Sequence, residues 1–264
     1  MDVVTATEGV PEEMADPGPH GTRALPGTPG APGSPGSAGT PWSAYRALTR
    51  AYPRAWKLGL NLAFCRCFAV PSVARVLMST GRITGDPLLR AKATGAALFQ
   101  VLDEGPDSPA SLRVLEHLRR VHAGLPVGDD AFVYVLGLFC VHPLRFMAAH
   151  GPRRPTAAEE ESAHAFCTLL GRRMGIGPLP ATYGEFAAAQ DAYEERHFGR
   201  SPEGLALWAA SRRVFRERLP GPFSAIGPLL AEALMGTAAP ALGIPARPRT
   251  SAVAGRLLRR YLDR

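Results

Sequence analysis

The sequence predicts an all-α protein, one layered bundle of helices behind an N-terminal tail. Three observations lead there. From Pro41 onward apolar residues recur at helical spacing, no run sustains the alternation of a half-buried strand, and the breaks carry Pro and Gly where helices start and stop. A chain of 264 residues, 46% of them hydrophobic, can bury a substantial core. About ten helices in a body of this size fit a single bundle rather than separate domains.

Residues 1–40 stand apart from the domain at 41–264. Glycine occupies every third position from Gly27 to Gly39, the collagen period, but five triplets are too few for a triple helix and the stretch reads as a flexible, disordered tail. Helices are predicted over 42–57, 59–79, 87–103, 108–123, 129–148, 156–174, 181–197, 202–218, 223–239 and 250–262. Asp86-Pro87 supplies an N-cap followed by a proline whose missing N–H costs nothing at the first helical position. Thr182 and Glu185 have the spacing of a capping box. Gly105 and Gly175 stand where left-handed C-terminal caps belong.

Cys65, Cys67, Cys140 and Cys167 form neither a C-x-x-C pair nor a disulfide framework, so all four are expected to be reduced. The first residues lack the basic and apolar segments of a Sec-type signal, and the longest apolar run, AFVYVLGLFCV at 131–141, is short for a bilayer. A soluble, cytoplasmic protein is the expectation. The net charge of +7 divides unevenly: Asp2, Glu8, Glu12, Glu13 and Asp16 against Arg23 give −4 over residues 1–40, leaving +11 on the body, where Lys57 and Lys92 are the lysines. The arginines are spread over many helices without interleaved aromatics, which argues against a nucleic-acid platform. The closing segment SAVAGRLLRRYLDR fits a peripheral membrane contact and equally an amphipathic final helix.

One polar group lies on an apolar stripe where it needs explaining. With Leu112 at zero, Leu115, Leu118 and His122 fall at about 300°, 240° and 280°, so His122 points inward with the leucines while His117 sits at the edge. On the preceding helix Arg90 and Thr94 share a face with Ala97 and Val101, and Lys92 points roughly opposite. An inward arginine needs a partner, because an unpaired buried charge costs several kcal/mol. A buried neutral imidazole can ligate haem iron, a guanidinium can neutralise a haem propionate, and a hydroxyl can donate to bound oxygen. A core histidine bonded to a backbone carbonyl satisfies the same pattern. His142, before Pro143, is a second inward candidate for iron or a partner for a carbonyl freed by the proline. Tyr134 reads as core or pocket lining; His150, His164 and His197 read as surface; the acidic run Glu159–Glu161 reads as a solvated first turn. No cysteine sits in the loop a thiolate-ligated haem needs, and no His/His/carboxylate set has the spacing of a non-haem iron site.

The arrangement R-x-x-x-T at Arg90–Thr94 followed 28 residues later by the histidine of RRVHA resembles the haem-binding core of the MpaB and latex clearing protein (rubber oxygenase) family. The likeness continues through DDAFVYVLGLFCVHPLRF, GRRMGIGPLPATYGEF, AYEERHF and PALGIPARPR, from about residue 58 to about 260. The resemblance implies a globin-like helical fold holding haem b, with His122 as proximal ligand, Arg90 and Thr94 beside the haem, O2 as co-substrate and oxidation of isoprenoid double bonds. Rubber-cleaving members carry a lysine immediately before the threonine. Here that residue is Ala93, and Lys92 is rotated 100° away, which argues against polyisoprene and for the MpaB branch with a farnesyl-like substrate. The contrasting class is a non-enzymatic helical protein binding a lipid-like ligand or haem, with His122 as a core residue.

Overall fold

The computed structural model describes residues 39–218 and 223–245, together with Leu258 and Leu262. Among them there is no strand. The chain runs α1 (Ser43–Ala51), α2 (Pro53–Arg66), a 3-10 turn (Cys67–Ala69), α3 (Pro71–Ser79), α4 (Arg82–Gly85), α5 (Pro87–Glu104), α6 (Pro109–His122), α7 (Asp129–His150), α8 (Ala157–Met174), α9 (Tyr183–His197), α10 (Pro202–Arg218), α11 (Phe223–Leu234) and α12 (Ala238–Ala241). The predicted tail at 1–40 lies outside the described residues except for Gly39 and Thr40, and so does the predicted helix at 250–262 apart from Leu258 and Leu262, both buried.

Proline sets the helix starts more strictly than the periodicity implied. The predicted break near residue 58 is displaced to Tyr52-Pro53, and the predicted helix over 59–79 is cut at Val70-Pro71, each proline opening a new helix. Proline also stands in the first turn of α5, α6 and α10. Asp86 caps α5 by accepting from the Leu89 N–H at 2.9 Å, and Ser108 caps α6 through Ser111 at 3.1 Å. The complete capping box belongs to Thr156 and Glu159 at the start of α8. At Thr182 the hydroxyl accepts from the Glu185 N–H, but the Glu185 carboxylate takes the N–H of Ala181 instead of closing the box. Gly175 closes α8 in the left-handed region, whereas Gly105 has positive φ with extended ψ.

α7 is the axis of the fold. It packs against α2, α8 and α9, while α5 packs against α6 and α10, and α6 against α8. By length and hydropathy α7 could cross a bilayer, yet 61% of its most apolar window is buried inside the bundle. Two glycines allow its neighbours this close. A Cβ on Gly59 of α2 would stand 2.9 Å from the Pro143 Cα, and one on Gly137 would stand 2.8 Å from the Phe186 ring of α9. Gly59 is therefore inside α2, where the sequence reading had placed a helix start.

Helix propensity alone favours Gly59→Ala by about 1 kcal/mol. The backbone of Pro143 cannot yield as a side-chain tip can, so overpacking prevails and the substitution is expected to lower stability by about 1–3 kcal/mol. Urea unfolding checks this: the midpoint should fall while the slope stays unchanged.

Candidate functional site

His122 is the last residue of α6, and its orientation is held by its own helix. Nδ1 lies 2.6 Å from the Leu118 carbonyl one turn back. A carbonyl only accepts, so Nδ1 carries the proton and Nε2 presents its lone pair. Nε2 has no hydrogen-bond partner among the described residues. The half-buried ring meets Phe132 of α7 edge-on, with centroids 5.9 Å apart. Burial pushes the imidazole below its ordinary pKa; the Leu118 carbonyl opposes this and the charge of Arg90 adds to it. A neutral ring with one nitrogen tethered and the other bare is the form in which histidine ligates a metal.

Arg90 and Thr94 belong to the same site. The Arg90 Nη1 donates to the Thr94 hydroxyl, which donates in turn to the Arg90 carbonyl at 3.0 Å. The half-buried guanidinium lies over the Phe64 ring of α2 at 5.6 Å. No carboxylate pairs with Arg90 among the described residues. Burial, then the charge of Arg82, lowers its pKa. Two consecutive helices thus carry a bare imidazole nitrogen, with Phe132 against its ring, and an uncompensated cation over Phe64, near enough for the charge of Arg90 to act on His122. Ala93 is half-buried and Lys92 exposed, as the helical register predicts.

His142 is elsewhere. It stands ten residues beyond Phe132 on α7, roughly 15 Å along the helix axis. Neither ring nitrogen is hydrogen-bonded to a described residue, and Nδ1 is sealed from solvent, so the carbonyl contact expected from Pro143 does not form. The other histidines depart from the surface reading. His164 is buried and lies 3.0 Å from the Pro180 carbonyl, His197 stacks on Tyr193, and His150 packs on Phe146. Glu159 is also buried rather than solvated, because it closes the capping box and pairs with Arg153 at 2.5 Å. The four cysteines are buried and unpaired, and no group of three His, Cys, Asp or Glu side chains converges among the described residues.

Sequence reasoning missed a buried ion pair, Arg66 with Glu194. Arg66 grips Glu194 of α9 in bidentate fashion, Nε–Oε1 at 2.6 Å and Nη2 to Oε2, and donates to the Met235 carbonyl at 2.7 Å and the Thr237 hydroxyl at 2.8 Å. Tyr134 of α7 donates to Glu194 at 3.3 Å. The available signal was the one that exposed His122: a charge on an inward stripe. Arg66 follows the buried Leu62 by four residues, and Glu194 follows Phe186 and Gln190 by eight and four.

Residues 55–263 match the model of the ER-bound oxygenase mpaB/B'/rubber oxygenase catalytic domain. The chain belongs to this family. It is similar to the ER-bound oxygenase mpaB of Penicillium roqueforti (strain FM164), 26% identical over 122 residues, which are 44% of this chain and 41% of that protein. Its fold is similar to the closed state of latex clearing protein LCP, with a TM-score of 0.62, 14% identity, and coverage of 84% of this chain and 66% of the other. The chain therefore spans about two fifths of the first relative and just under two thirds of the second. The family assignment covers both α5, with Arg90 and Thr94, and α6, with His122.

Glu194→Ala would leave the Arg66 guanidinium buried without its counter-charge. The expected loss is about 3–5 kcal/mol, with the replacement of both residues by apolar ones recovering much of it. Chemical denaturation of the three variants measures both numbers.

Proposed function

We propose that this chain is a haem b-dependent oxygenase that acts with O2 on a hydrophobic, isoprenoid-like alkene. The observation that carries the reading is the bare Nε2 of His122 beside an Arg90 with no carboxylate. The donor set suits the group: a neutral imidazole for the iron and an uncompensated guanidinium for a propionate. Bound there, haem supplies the one-electron and dioxygen chemistry that no side chain can. The family membership supports an oxygenase, and the match to mpaB rather than the lysine pattern of rubber cleavage supports a smaller isoprenoid over a polymer.

Each residue then has a defined task. The Leu118 carbonyl keeps the proton on Nδ1 and fixes the ring plane, so Nε2 stays open to a ligand. Thr94 holds the guanidinium of Arg90 in one orientation through its hydroxyl, which lowers the entropy lost on meeting an anion. Phe64 and Phe132 each cover one side of the polar group they touch, the guanidinium and the imidazole in turn.

The visible spectrum of the full chain purified with haem supplied tests this. The parent should show a Soret band at one haem per chain, and His122→Ala, matched for helicity, should lose or shift it. Arg90→Ala should keep the band position but weaken haem affinity roughly ten- to hundredfold, the value of a charge-assisted bond. A parent without stoichiometric haem sinks the oxygenase reading and favours a lipid-binding protein; an unchanged His122→Ala spectrum moves the ligand elsewhere. Oxygen uptake with isoprenoid alkenes as substrates tests the activity itself.

A further inference from the structure

A cavity of about 710 Å³ opens beside the C-terminal half of α7, with neither Phe132 nor His122 on its lining. Its size is that of a small-molecule pocket. Leu62, Phe146, Phe198 and Leu234 give it apolar walls contributed by α2, α7, the end of α9 and α11. The charged groups on its lining are nearly all committed. Arg66 is held by Glu194, and Arg145 is held by Asp191 through two bonds of 2.6 and 2.7 Å. Glu195 has no partner among the described residues and leaves the lining with one excess negative charge. A free anion finds no open cation here.

His142 is the exception to this satisfaction. Its imidazole lines the cavity with neither nitrogen bonded to a described residue, and Nδ1 is shut off, which leaves Nε2 to meet an occupant. Burial, then the charges of Arg66 and Arg145, holds the ring well below its ordinary pKa and hence neutral. A neutral imidazole offers one donor and one acceptor, and a hydroxyl can answer either. A carboxylate can only accept and is repelled by Glu195. An ammonium can only donate; Glu194 and Asp191 are already held by Arg66 and Arg145, and Glu195 stands exposed where water screens its charge, so the cavity offers little to offset the cost of desolvating a cation.

We propose that this cavity is a second ligand site, taking a neutral alcohol with an apolar chain, its hydroxyl on His142 and its chain along the Leu62, Phe146, Phe198 and Leu234 walls. The site does not depend on haem.

Calorimetric titration of the full, haem-free chain with decanol, decanoate and decylammonium tests the assignment, with the shift in melting temperature as a second readout. Decanol should bind and stabilise, with each ionic analogue at least about tenfold weaker. His142→Phe removes the polar contact and should weaken decanol about tenfold, the value of one hydrogen bond at the upper end of its range. Ala149→Trp, from an exposed position on the wall, should block all three and carries the test alone if phenylalanine is not accommodated. No decanol binding by the parent, equal or tighter binding of either ion, or unchanged decanol affinity in the variants overturns the proposal. Because no haem is present, the result is independent of the Soret experiment.

Discussion

The bidentate pair between Arg66 and Glu194 is the constraint on which the rest of the bundle depends. Removing both charges from water costs several kcal/mol per ion, and their attraction offsets this only where every remaining donor and acceptor is engaged. Here nearly all are: the guanidinium also reaches the Met235 carbonyl and the Thr237 hydroxyl, and the carboxylate also accepts from Tyr134. These bonds join the end of α2, the second turn of α7, the end of α9 and the segment after α11. Such a pair adds little net stability over apolar packing, but it penalises any register in which one of those four elements slips. The Phe198 ring closes over the guanidinium at 5.3 Å and keeps the pair dry.

Cys67, next to Arg66 in the chain, is wholly buried; burial pushes its thiol up to about 12, and the charges of Arg90, Glu194 and Arg66 all act on it. α7 offers Phe132 to the His122 ring and His142 to the large cavity. Its approach to α2 and α9 through Gly59 and Gly137 makes this part of the bundle as rigid as a packed core, which tolerates displacement poorly. A site placed on rigid helices is aimed more accurately than one carried by loops.

The fold was legible in the sequence because helical periodicity and proline punctuation agree along most of the chain, and the departures have one cause. Tyr52-Pro53 and Val70-Pro71 break helices that apolar spacing alone runs together, since a stripe does not record a change of axis direction. The half-burial of Arg90, Thr94 and His122 was legible because all three lie on inward stripes of consecutive helices. The Arg66–Glu194 pair was not, because its halves are 128 residues apart and neither carries a local mark of its partner. His164 and Glu159 were misplaced to the surface for a related reason: their partners, the Pro180 carbonyl and Arg153, are supplied by loops whose course periodicity does not report.

Two inward arginines in one fold show how function separates from structure at the level of charge. Arg66 has a carboxylate, two further acceptors and an aromatic lid, so its charge is matched and four of its five N–H donors are engaged. Arg90 has a threonine that orients it and a phenylalanine that shields it, but no counter-charge among the described residues. Burial lowers its pKa without bringing it near neutrality in ordinary solution, since a guanidinium stays protonated. Its charge must then be met by water or by an anion brought from outside, and the adjacent imidazole is held in the one tautomer that leaves Nε2 open. The same test applied to histidines sets His142, with neither nitrogen tethered, apart from His122 and His164, each held through one nitrogen: Nδ1 by the Leu118 carbonyl in the first, Nε2 by both Pro180 and Thr168 in the second. Among the described residues Ser111 and Gln190 also keep buried polar atoms without partners; what sets His122 and His142 apart is that the charge of Arg90, which has no carboxylate, acts on the first, while the second lines a cavity.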